Sequence, residues 1–341
     1  MTGLLVQPAD FFLDKYPTGT TTTSYGGGFA SPEDASSTRW HHPVGFPPGA
    51  DGFGPPLSPD GCPGRALMRV PASLIKVPVV LIATWNVNSL KARIPRVEEW
   101  LSAVQPDVLC MQETKMSDGQ FPAMTFTGLG YDSVHHGQGQ WNGVAILSRV
   151  GLEDAVSGFD DGREPDVDSR IVWATCGGVR VASVYVPNGR ELEHDHYRYK
   201  LDWLGRLRSH LDRHHRPDRD LVVAGDWNIA PADIDVWDPG AFVGSTHVSA
   251  PERAALAEVV GWGLHDTFRD RYGQTTGLFS YYDYRAGDFH KRRGMRIDYL
   301  LSSDSLAATS VADLVDRDAR KGQKPSDHAP VLASYGRAVP A

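Results

Sequence analysis

Cysteine is scarce in this sequence, and long apolar runs are missing. The 341 residues include three cysteines, Cys62, Cys110 and Cys176, whose scattered spacing offers neither a disulfide framework nor a zinc site. Such sparse cysteine usage is typical of a reducing, intracellular compartment. No apolar run approaches the roughly 20 residues that span a bilayer, and the N-terminus lacks the basic start and apolar core of a secretory signal. We therefore expect a cytoplasmic protein that does not enter a membrane.

An excess of positive charge is missing as well. Asp and Glu number 42, Lys and Arg number 34, and the formal net charge is -8. A protein that holds nucleic acid by its bulk charge is usually basic, which argues against that class. An enzyme that gathers carboxylates around a metal ion can still be acidic overall and carry a local basic face. No segment matches the phosphate-binding pattern G-x-x-x-x-G-K-[ST], so nucleotide-driven chemistry is not expected.

Apolar periodicity is missing from residues 1–77, which are rich in Gly, Pro, Ser and Thr. Such a segment buries too little apolar surface to offset the entropy cost of ordering the chain. We therefore expect residues 1–77 to be a disordered N-terminal extension. One hypothesis is that translation begins downstream, for example at Met68, and that the extension is not part of the natural protein. Residues 78–337 are expected to form one domain.

From residue 78 onward, short apolar runs alternate with segments of helical periodicity. Each run is rich in β-branched residues and is bounded by Gly, Pro, Asn or Asp, as strands are. The runs are PVVLIATWNV, DVLCMQET, GVAILSR, RIVWATC, RVASVYV, DLVVAGDWN, RIDYLLSS and HAPVLASY. Apolar residues recur at helical spacing from Ile94 to Val104 and from Leu201 to Leu211. Many strands with helices between them predict an α/β protein with substantial sheet.

Polar side chains stand where these apolar runs begin or end. Taken alone, each has a structural explanation: Asn86 can satisfy a turn, Glu113 can be a solvated edge charge, and Tyr185 can be a core aromatic. Asp298 is harder to explain, because a carboxylate inside an apolar run needs a partner. One shared site explains the whole set better than separate accidents. Its members are Asn86, Asn88, Glu113, Tyr185, Asn188, Asp226, Asn228, Asp298, Asp327 and His328.

The chemistry of this set points to a metal and a phosphate ester. Carboxylate and amide oxygens without cysteine suit a hard cation such as Mg²⁺ or Mn²⁺. A metal ion, an imidazole and a carboxylate base together suit hydrolysis of a phosphodiester. The cation and the imidazolium neutralise charge that develops on the phosphoryl oxygens, and the carboxylate activates water.

The order of the motifs resembles that of the exonuclease III family, which are Mg²⁺-dependent nucleases and abasic-site (AP) endonucleases. The motifs are WNVNSLKAR, PDVLCMQETK, WNGVAILSR, YVPNG, GDWNIAP, DIDVWDP, RIDYLL and SDHAPV, and the resemblance covers Val80 to about Tyr335. The resemblance implies a four-layer α/β sandwich of the deoxyribonuclease I-like fold. In it, two mixed β-sheets pack face to face with flanking helices, and the site lies at one end. Residues 78–337 would then be a catalytic domain of the endonuclease/exonuclease/phosphatase type.

The resemblance also implies which residues hold metal. Glu113 corresponds to the metal-binding glutamate of the family, with Asn86 and Asp327 close to the same ion. Some members of the family have a second ion. In this sequence its candidate ligands would be Asp226, Asn228 and His328. The cofactor implied is Mg²⁺, with Mn²⁺ as a possible substitute.

The catalytic roles implied by the resemblance fall on five residues. Asp226 corresponds to the acid/base aspartate and Asn228 to its orienting partner. Tyr185 corresponds to the tyrosine that contacts the scissile phosphate or the leaving group. His328 corresponds to the histidine that binds the phosphate, and Asp298 to the aspartate that orients it. The expected chemistry is attack of water on phosphorus with departure of the 3′ oxygen.

The DNA contacts implied by the resemblance come mainly from the stretch before the RID motif. Tyr281, Met295 and Ile297 stand where the family lines its abasic pocket, and Met295 is more flexible than an aromatic residue. The same stretch is basic, so it either contacts DNA or forms an exposed loop with solvated charges. The predicted DNA-binding residues are Asn188, Tyr281, Arg293, Met295, Arg296 and Ile297. Arg285, Lys291 and Arg292 add to the basic stretch.

We therefore expect a DNA repair nuclease that acts as a 3′→5′ exonuclease on duplex DNA and cleaves 5′ to abasic sites. Its partner would be duplex DNA with abasic sites or 3′ ends, at the nucleoid, and nothing demands an obligate protein partner or more than a monomer. One alternative is a phosphodiesterase or phosphatase of the same fold acting on a lipid or a small phosphate ester. Another is a non-catalytic DNA-binding relative, a class that usually loses its acidic residues.

Deleting residues 1–67 is expected to leave stability and activity nearly unchanged, because this segment has no periodic apolar face to pack on a core. Thermal unfolding and turnover of the full-length and truncated chains would check this expectation. A melting temperature lowered by more than a few degrees, which is about 1 kcal/mol for a domain of this size, would contradict it.

Overall fold

The computed structural model describes residues 79–337. The N-terminal extension predicted for residues 1–77 lies outside the described residues, and so do residues 338–341. Within the described range there is no helix long and apolar enough to cross a membrane.

Twelve strands form two six-stranded sheets in this part of the chain. The strands are β1 (Val80–Asn86), β2 (Val108–Gln112), β3 (Asp132–His136), β4 (Val144–Ser148), β5 (Glu153–Ser157), β6 (Ile171–Cys176), β7 (Val179–Tyr185), β8 (Leu221–Asp226), β9 (Leu264–Asp266), β10 (Asp298–Ser303), β11 (Ser310–Val315) and β12 (Val331–Tyr335). The first sheet has the order β11-β12-β1-β2-β4-β3, and the second β5-β6-β7-β8-β10-β9. Both sheets are mixed, because β1 and β2 are parallel and β7 and β8 are parallel while the other neighbours are antiparallel.

The helices connect these strands on the outside of the sheets. They are α1 (Leu90–Val104), α2 (Ala123–Gly128), α3 (Asp195–His214), α4 (Ala250–Val260), α5 (Thr267–Tyr272), α6 (Asp288–Lys291) and α7 (Asp304–Ala307). Short 3₁₀ turns cover Asp118–Gln120, Asp233–Asp235, Pro239–Phe242, Arg285–Gly287 and Arg317–Arg320. The two helices predicted from apolar spacing are confirmed as α1 and α3.

The two sheets pack face to face, and β1 shows why residues 80–83 are continuously apolar. Val80 and Ile82 point into the core between the sheets, together with Val181 and Val222 of the second sheet. The alternate residues Leu81, Ala83 and Trp85 point the other way and pack with α1, since successive side chains of a strand face opposite sides. On the far side of the second sheet, α3 and α4 pack in the same manner. The predicted four-layer α/β sandwich is therefore confirmed.

All eight strands predicted from apolar runs are present, and four further strands were missed. The missed strands are β3, β5, β9 and β11, and each is an outer strand of its sheet. β5 is exposed along its whole length, and β9 has three residues. An outer strand needs no continuous apolar run, because one edge and often one face remain in water.

Arg296 corrects the prediction of a DNA contact at that position. Its side chain is 1 % exposed, and its guanidinium lies 2.7 Å from Asp235 and 2.8 Å from Asp266. Ile297 is 2 % exposed and packs behind Met295, so it does not reach DNA either. Both residues lead directly into β10, where the chain enters the interior. They hold the start of β10 in place, and the predicted contact with DNA is left to the exposed residues before them.

Replacing Arg296 by Met is expected to destabilise the fold by about 3 kcal/mol or more, because removing one partner leaves buried Asp235 with less compensation. Arg293→Met, at an exposed position three residues earlier, is the matched control and should change stability by less than about 1 kcal/mol. Urea unfolding of both variants measures the difference. Equal stability of the two variants would mean that the buried pair does not hold this segment.

Candidate active site

The strand ends predicted to share one site meet at one end of the sandwich. Parallel pairing sets Asn86 opposite Gln112, beside Glu113, in the first sheet. It sets Tyr185 opposite Asp226 in the second. Antiparallel pairing then places Asp298, the first residue of β10, opposite Asp226. Because the two sheets are stacked, these strand ends surround one opening. We call this opening the mouth, and it is bordered by Asn86, Glu113, Tyr185, Asp226 and Asp298.

Asn86 joins the two sheets across this mouth. Its amide Nδ2 donates to Glu113 Oε1 at 2.8 Å and to Asp226 Oδ2 at 2.9 Å, while its Oδ1 accepts from the backbone N–H of Asn88 at 2.9 Å. The side chain is fully buried. In this geometry the Asn86 amide orients both carboxylates, and its oxygen faces the Asn88 N–H. The role of Asn86 as a metal ligand stays a prediction.

Glu113, Asp226 and His328 form the one group of potential ligands for a metal ion found within residues 79–337. One ligand atom from each of the three lies within 4.8 Å of the others. Lys115 Nζ pairs with Glu113 Oε2 at 2.8 Å. Burial raises the pKa of Glu113, but Lys115 and the bond from Asn86 outweigh burial and leave the pKa lowered. Two carboxylates and an imidazole at this separation fit a divalent cation.

Asp226 is a buried carboxylate whose charge is disfavoured by its surroundings. It is 1 % exposed. Burial and the neighbouring Asp298 raise its pKa to about 7, although His328 and the Asn86 amide act in the opposite direction. Its Oδ1 accepts the backbone N–H of Asn228 at 2.9 Å. A carboxylate with a pKa near neutrality can accept and return a proton.

His328 is held by a carboxylate on one ring nitrogen and faces the mouth with the other. Nδ1 donates to Asp298 Oδ2 at 2.8 Å, and that oxygen also accepts from the Ser280 hydroxyl at 2.7 Å. Nε2 lies 3.9 Å from Asp226 Oδ2. Burial lowers the pKa of His328, but Asp298 and Asp226 outweigh it and raise the pKa to about 10. The ring is therefore an imidazolium at neutral pH, and Asp298 has the partner that its sequence context required.

Tyr185 brings a neutral phenol to the same mouth. Its ring lies under the guanidinium of Arg170, whose Cζ is 4.9 Å from the ring centroid. Burial raises the pKa of Tyr185 well above its usual range, and the nearby carboxylates Glu113 and Asp226 raise it further. The hydroxyl therefore keeps its proton and can donate a hydrogen bond.

Asp327 and Asn228 lie outside the group formed by Glu113, Asp226 and His328. Asp327 Oδ1 accepts from Asn88 Nδ2 at 3.0 Å. The Asn228 amide donates to the carbonyl of Val186 at 3.0 Å and accepts from Asn188 at 3.2 Å. Their proposed roles as ligands therefore stay predictions. Asn188 itself lies next to Asn228.

Several residues around the mouth carried no clear signal in the sequence. Lys115 follows Glu113 by two positions, and its Nζ also donates to Asn88 at 2.6 Å. Ser280 and His247 lie outside every apolar run. They are brought to the site only by the tertiary structure.

A pocket of about 330 Å³ adjoins the mouth. It is lined in part by Arg190, Trp237, Phe242, Tyr281, Arg293 and Met295. The Tyr281 ring lies 4.9 Å from the His328 ring, centroid to centroid, so the pocket opens beside the imidazolium. Arg293 lies over Trp237 at 4.7 Å. The exposed side chains of Arg285, Lys291, Arg292 and Arg293 lie in the same stretch of chain, so the predicted basic face is present there without Arg296.

Comparison with known proteins gives a consistent set of relatives. Residues 83–328 match the Endonuclease/Exonuclease/phosphatase family. Exodeoxyribonuclease III of Haemophilus influenzae is 33% identical over 266 residues, which cover 74% of this chain and 98% of that protein.

Solved structures give the same picture. The structure of an AP endonuclease from Archaeoglobus fulgidus is 36% identical, with a TM-score of 0.73, and the match covers 75% of this chain and 99% of that one. A Neisseria enzyme is 37% identical, with a TM-score of 0.71 and coverage of 75% and 99%. It is described as a 3′-5′ exonuclease and, bound to a product DNA hairpin, as a 3′ phosphatase. Each relative is matched along nearly its whole length.

The pKa of His328 is expected to fall when Asp298 is replaced by Asn. A carboxylate favours the charged imidazolium and so raises its pKa, and the amide keeps the shape but not the charge. NMR titration of the metal-free protein in EDTA, with the His328 signal assigned from His328→Asn, should show a drop of about one to three pH units. Asp327→Asn, which removes a neighbouring carboxylate not bonded to the ring, should have a smaller effect. An unchanged pKa in Asp298→Asn would contradict this account of the imidazolium.

Proposed function

We propose that the substrates of this chain are duplex DNA with 3′ ends and duplex DNA with abasic sites. The chain belongs to the endonuclease/exonuclease/phosphatase family and is an exodeoxyribonuclease III-like DNA repair nuclease. It hydrolyses phosphodiesters, as its relatives named exodeoxyribonuclease III and AP endonuclease indicate. We further propose 3′→5′ removal of nucleotides and cleavage 5′ to abasic sites, by a monomer in the cytoplasm at the nucleoid.

One observation carries this proposal: Glu113, Asp226 and His328 meet within 4.8 Å at the mouth of the sandwich, with the phenol of Tyr185 beside them. Carboxylates for a cation, a carboxylate with a pKa near 7 and an imidazolium are the groups that phosphodiester hydrolysis needs.

The family depends on a divalent metal, and Glu113, whose carboxylate is ionised, is the residue that would hold it, with Asp226 beside it. His328 would be a ligand only as a neutral imidazole, which is the alternative to the phosphate-binding role proposed for it below. We propose Mg²⁺ as the ion, with Mn²⁺ as a substitute, because oxygen ligands dominate the site. Asn228 and Asp327 remain candidate ligands of a second or shared ion. When bound, the cation supplies a Lewis acid for the phosphoryl oxygen and neutralises developing charge.

Asp226 is proposed to take the proton from the attacking water. Its raised pKa places it close to the working pH, where a general base is most effective. The backbone N–H of Asn228 holds one carboxylate oxygen, and the Asn86 amide holds the other, so the carboxylate is fixed in orientation. Asn228 thus orients Asp226 through its main chain.

His328 and Tyr185 are proposed to act on the phosphate and on the leaving group. The imidazolium, held by Asp298, offers Nε2–H to a phosphate oxygen and stabilises its negative charge. The neutral phenol of Tyr185 donates a hydrogen bond to the phosphate or to the departing 3′ oxygen. The reacting phosphate would thus be contacted by one residue from each sheet, because His328 precedes β12 of the first sheet and Tyr185 ends β7 of the second.

The neighbouring pocket is proposed to receive a sugar that lacks its base. Its aromatic and apolar lining of Trp237, Phe242, Tyr281 and Met295 suits a deoxyribose ring, and Arg190 and Arg293 suit the flanking phosphates. The exposed basic stretch would extend this contact along the duplex. Asn188 lines a neighbouring pocket together with Tyr185 and Arg190 and would contact the DNA strand near Tyr185. Action on a lipid or a small phosphate ester is not favoured by the relatives, whose names and titles refer to nucleic acid.

A substrate panel tests the proposal. Duplex DNA with one abasic analogue, undamaged duplex with a recessed 3′ end, and a phospholipid are each incubated with Mg²⁺, with Mn²⁺ and with EDTA. We expect incision 5′ to the analogue and shortening from the 3′ end with either metal, and no product from any substrate in EDTA. Glu113→Gln should lose at least about 10²-fold in rate.

Glu99→Gln is the matched control, because Glu99 is an exposed glutamate on α1 whose side chain is 71% exposed, and it should keep full activity. Thermal unfolding should show that both variants are folded. Cleavage of the phospholipid alone, or equal rates with and without EDTA, would overturn the proposed function.

A further inference from the structure

Lys200 places a fully buried ammonium behind the active site. It lies on α3, and its side chain is 0% exposed. Its Nζ donates to the carbonyl of Asn228 at 2.6 Å, to the carbonyl of Asn188 at 3.2 Å and to Glu252 Oε1 at 2.5 Å. An ammonium has three hydrogens to donate, so every donor of Lys200 is used. Burying a charge is costly unless it is paired and bonded in this way.

Two of the three acceptors belong to the loops that carry the site. Asn188 follows β7, whose last residue is Tyr185, and Asn228 follows β8, whose last residue is Asp226. Asn228 has a φ of 52°, in the left-handed region that costs free energy for a residue with a side chain. Lys200 therefore ties together the two loops that follow the catalytic ends of the second sheet.

Glu252 extends this tie to the side chain of Asn228. Glu252 Oε1 also accepts the backbone N–H of His247 at 2.9 Å, and its Oε2 accepts from the Ser249 hydroxyl at 2.6 Å. The ring of His247 then returns to the site, with Nε2 3.0 Å from Asn228 Oδ1. The path from Lys200 through Glu252 and His247 thus closes on the same asparagine.

The geometry makes this contact a hydrogen bond. Asn228 Oδ1 is an amide oxygen and can only accept, so Nε2 of His247, 3.0 Å away, carries a ring proton and is the donor. The Asn188 amide donates to the same oxygen at 3.2 Å and lies 3.2 Å from Nε2. Nδ1 lies 2.7 Å from the Thr246 hydroxyl and accepts from it.

We propose that Lys200 is a positioning residue for hydrolysis: it holds the Asn188 and Asn228 carbonyls directly and the Asn228 amide through Glu252 and His247. This inference rests on the proposed function. Asn228 in turn orients Asp226 through its N–H. A displacement of Asn228 therefore reaches the general base without any direct contact between Lys200 and the substrate.

The test removes both charges of the buried pair, because Lys200→Met alone would leave Glu252 buried and unpaired. In Lys200→Met/Glu252→Gln, kcat on duplex DNA should fall about 10- to 10²-fold, the scale of a small misplacement of a catalytic group. KM should change little, since neither residue is at the surface that meets DNA. Combining the double variant with Asp226→Asn should cost little more than Asp226→Asn alone, because Lys200 is proposed to act only through the position of Asp226.

Arg206, which lies on the same helix as Lys200, supplies the matched control together with its partner Asp161. They form a buried pair, with Nε 2.7 Å from Oδ2 and side chains 7% and 0% exposed, but Arg206 otherwise binds the carbonyl of Glu164, away from the mouth. Arg206→Met/Asp161→Asn should lose comparable stability and keep kcat. If the Lys200 double variant does not fold, Glu252→Asp serves instead. It keeps both charges but is too short to reach Lys200 and His247 together, so kcat should fall in the same direction by a smaller factor.

Amide hydrogen exchange reports on positioning without relying on activity. Residues 188–190 and 228–230 should exchange faster in the Lys200 double variant and not in the Arg206 control. Unchanged exchange and unchanged kcat would overturn the inference while leaving the proposed function intact. A wild-type protein that cleaves no DNA would instead overturn the proposed function, and exchange would still decide whether Lys200 holds the two loops.

Discussion

The amide of Asn86 is the contact on which the active site depends. It donates one hydrogen to a carboxylate of each sheet, Glu113 and Asp226, at a point where both sheets end. Two buried carboxylates repel each other and lose hydration, so they stay together only if donors lie between or around them. Asn86, Lys115 and the His328 imidazolium supply those donors. The stacking of the two sheets thus brings the carboxylates together, and these three side chains offset the repulsion between the carboxylates and their loss of hydration.

The same crowding separates the protonation behaviour of the groups in the mouth. Glu113 has Lys115 beside it, and its pKa is lowered. Asp226 is more buried and faces Asp298, and its pKa is raised to about 7. His328 lies between Asp298 and Asp226, which stabilise its charged form. One mouth therefore holds an ionised carboxylate, a carboxyl group with a pKa close to neutrality and a cationic imidazole, and their surroundings rather than their residue types set these differences.

Support from behind keeps the surrounding loops in place. Lys200 and Glu252 hold the loops after β7 and β8. On the other side, the basic stretch before β10 is fastened by stacking of guanidiniums on aromatic rings, with Arg320 4.6 Å from Phe289 and 5.2 Å from Tyr282. Arg320 Nε also donates to the carbonyl of Ser326, next to Asp327 and His328. The buried side chain of Arg320 thereby connects the surface proposed to meet DNA to the loop that carries Asp327 and His328.

The sequence by itself determined the inner strands, the two long helices and the set of polar residues at the strand ends. Strands covered on both faces are mostly apolar, as β1 is from Val80 to Ala83, so each leaves a local pattern in the sequence. A carboxylate inside such a run, as at Asp298, predicts a hydrogen-bonding or charged partner, because burying it alone is costly. The four edge strands left no such pattern, because water replaces part of their packing.

Only the tertiary structure decided which of these residues touch. Asn86 and Asp226 are 140 positions apart, and the bond between them follows from sheet stacking and strand register, which no short stretch of sequence records. The same holds for Arg296: within a run of basic residues its spacing resembles that of a surface residue, yet it enters the interior to meet Asp235 and Asp266. Local pattern reports whether a residue is buried between layers. Which residues a side chain contacts depends on how the two sheets pack, and the packing brings together residues that are far apart in the sequence. The chemistry that each side chain can perform depends on those contacts.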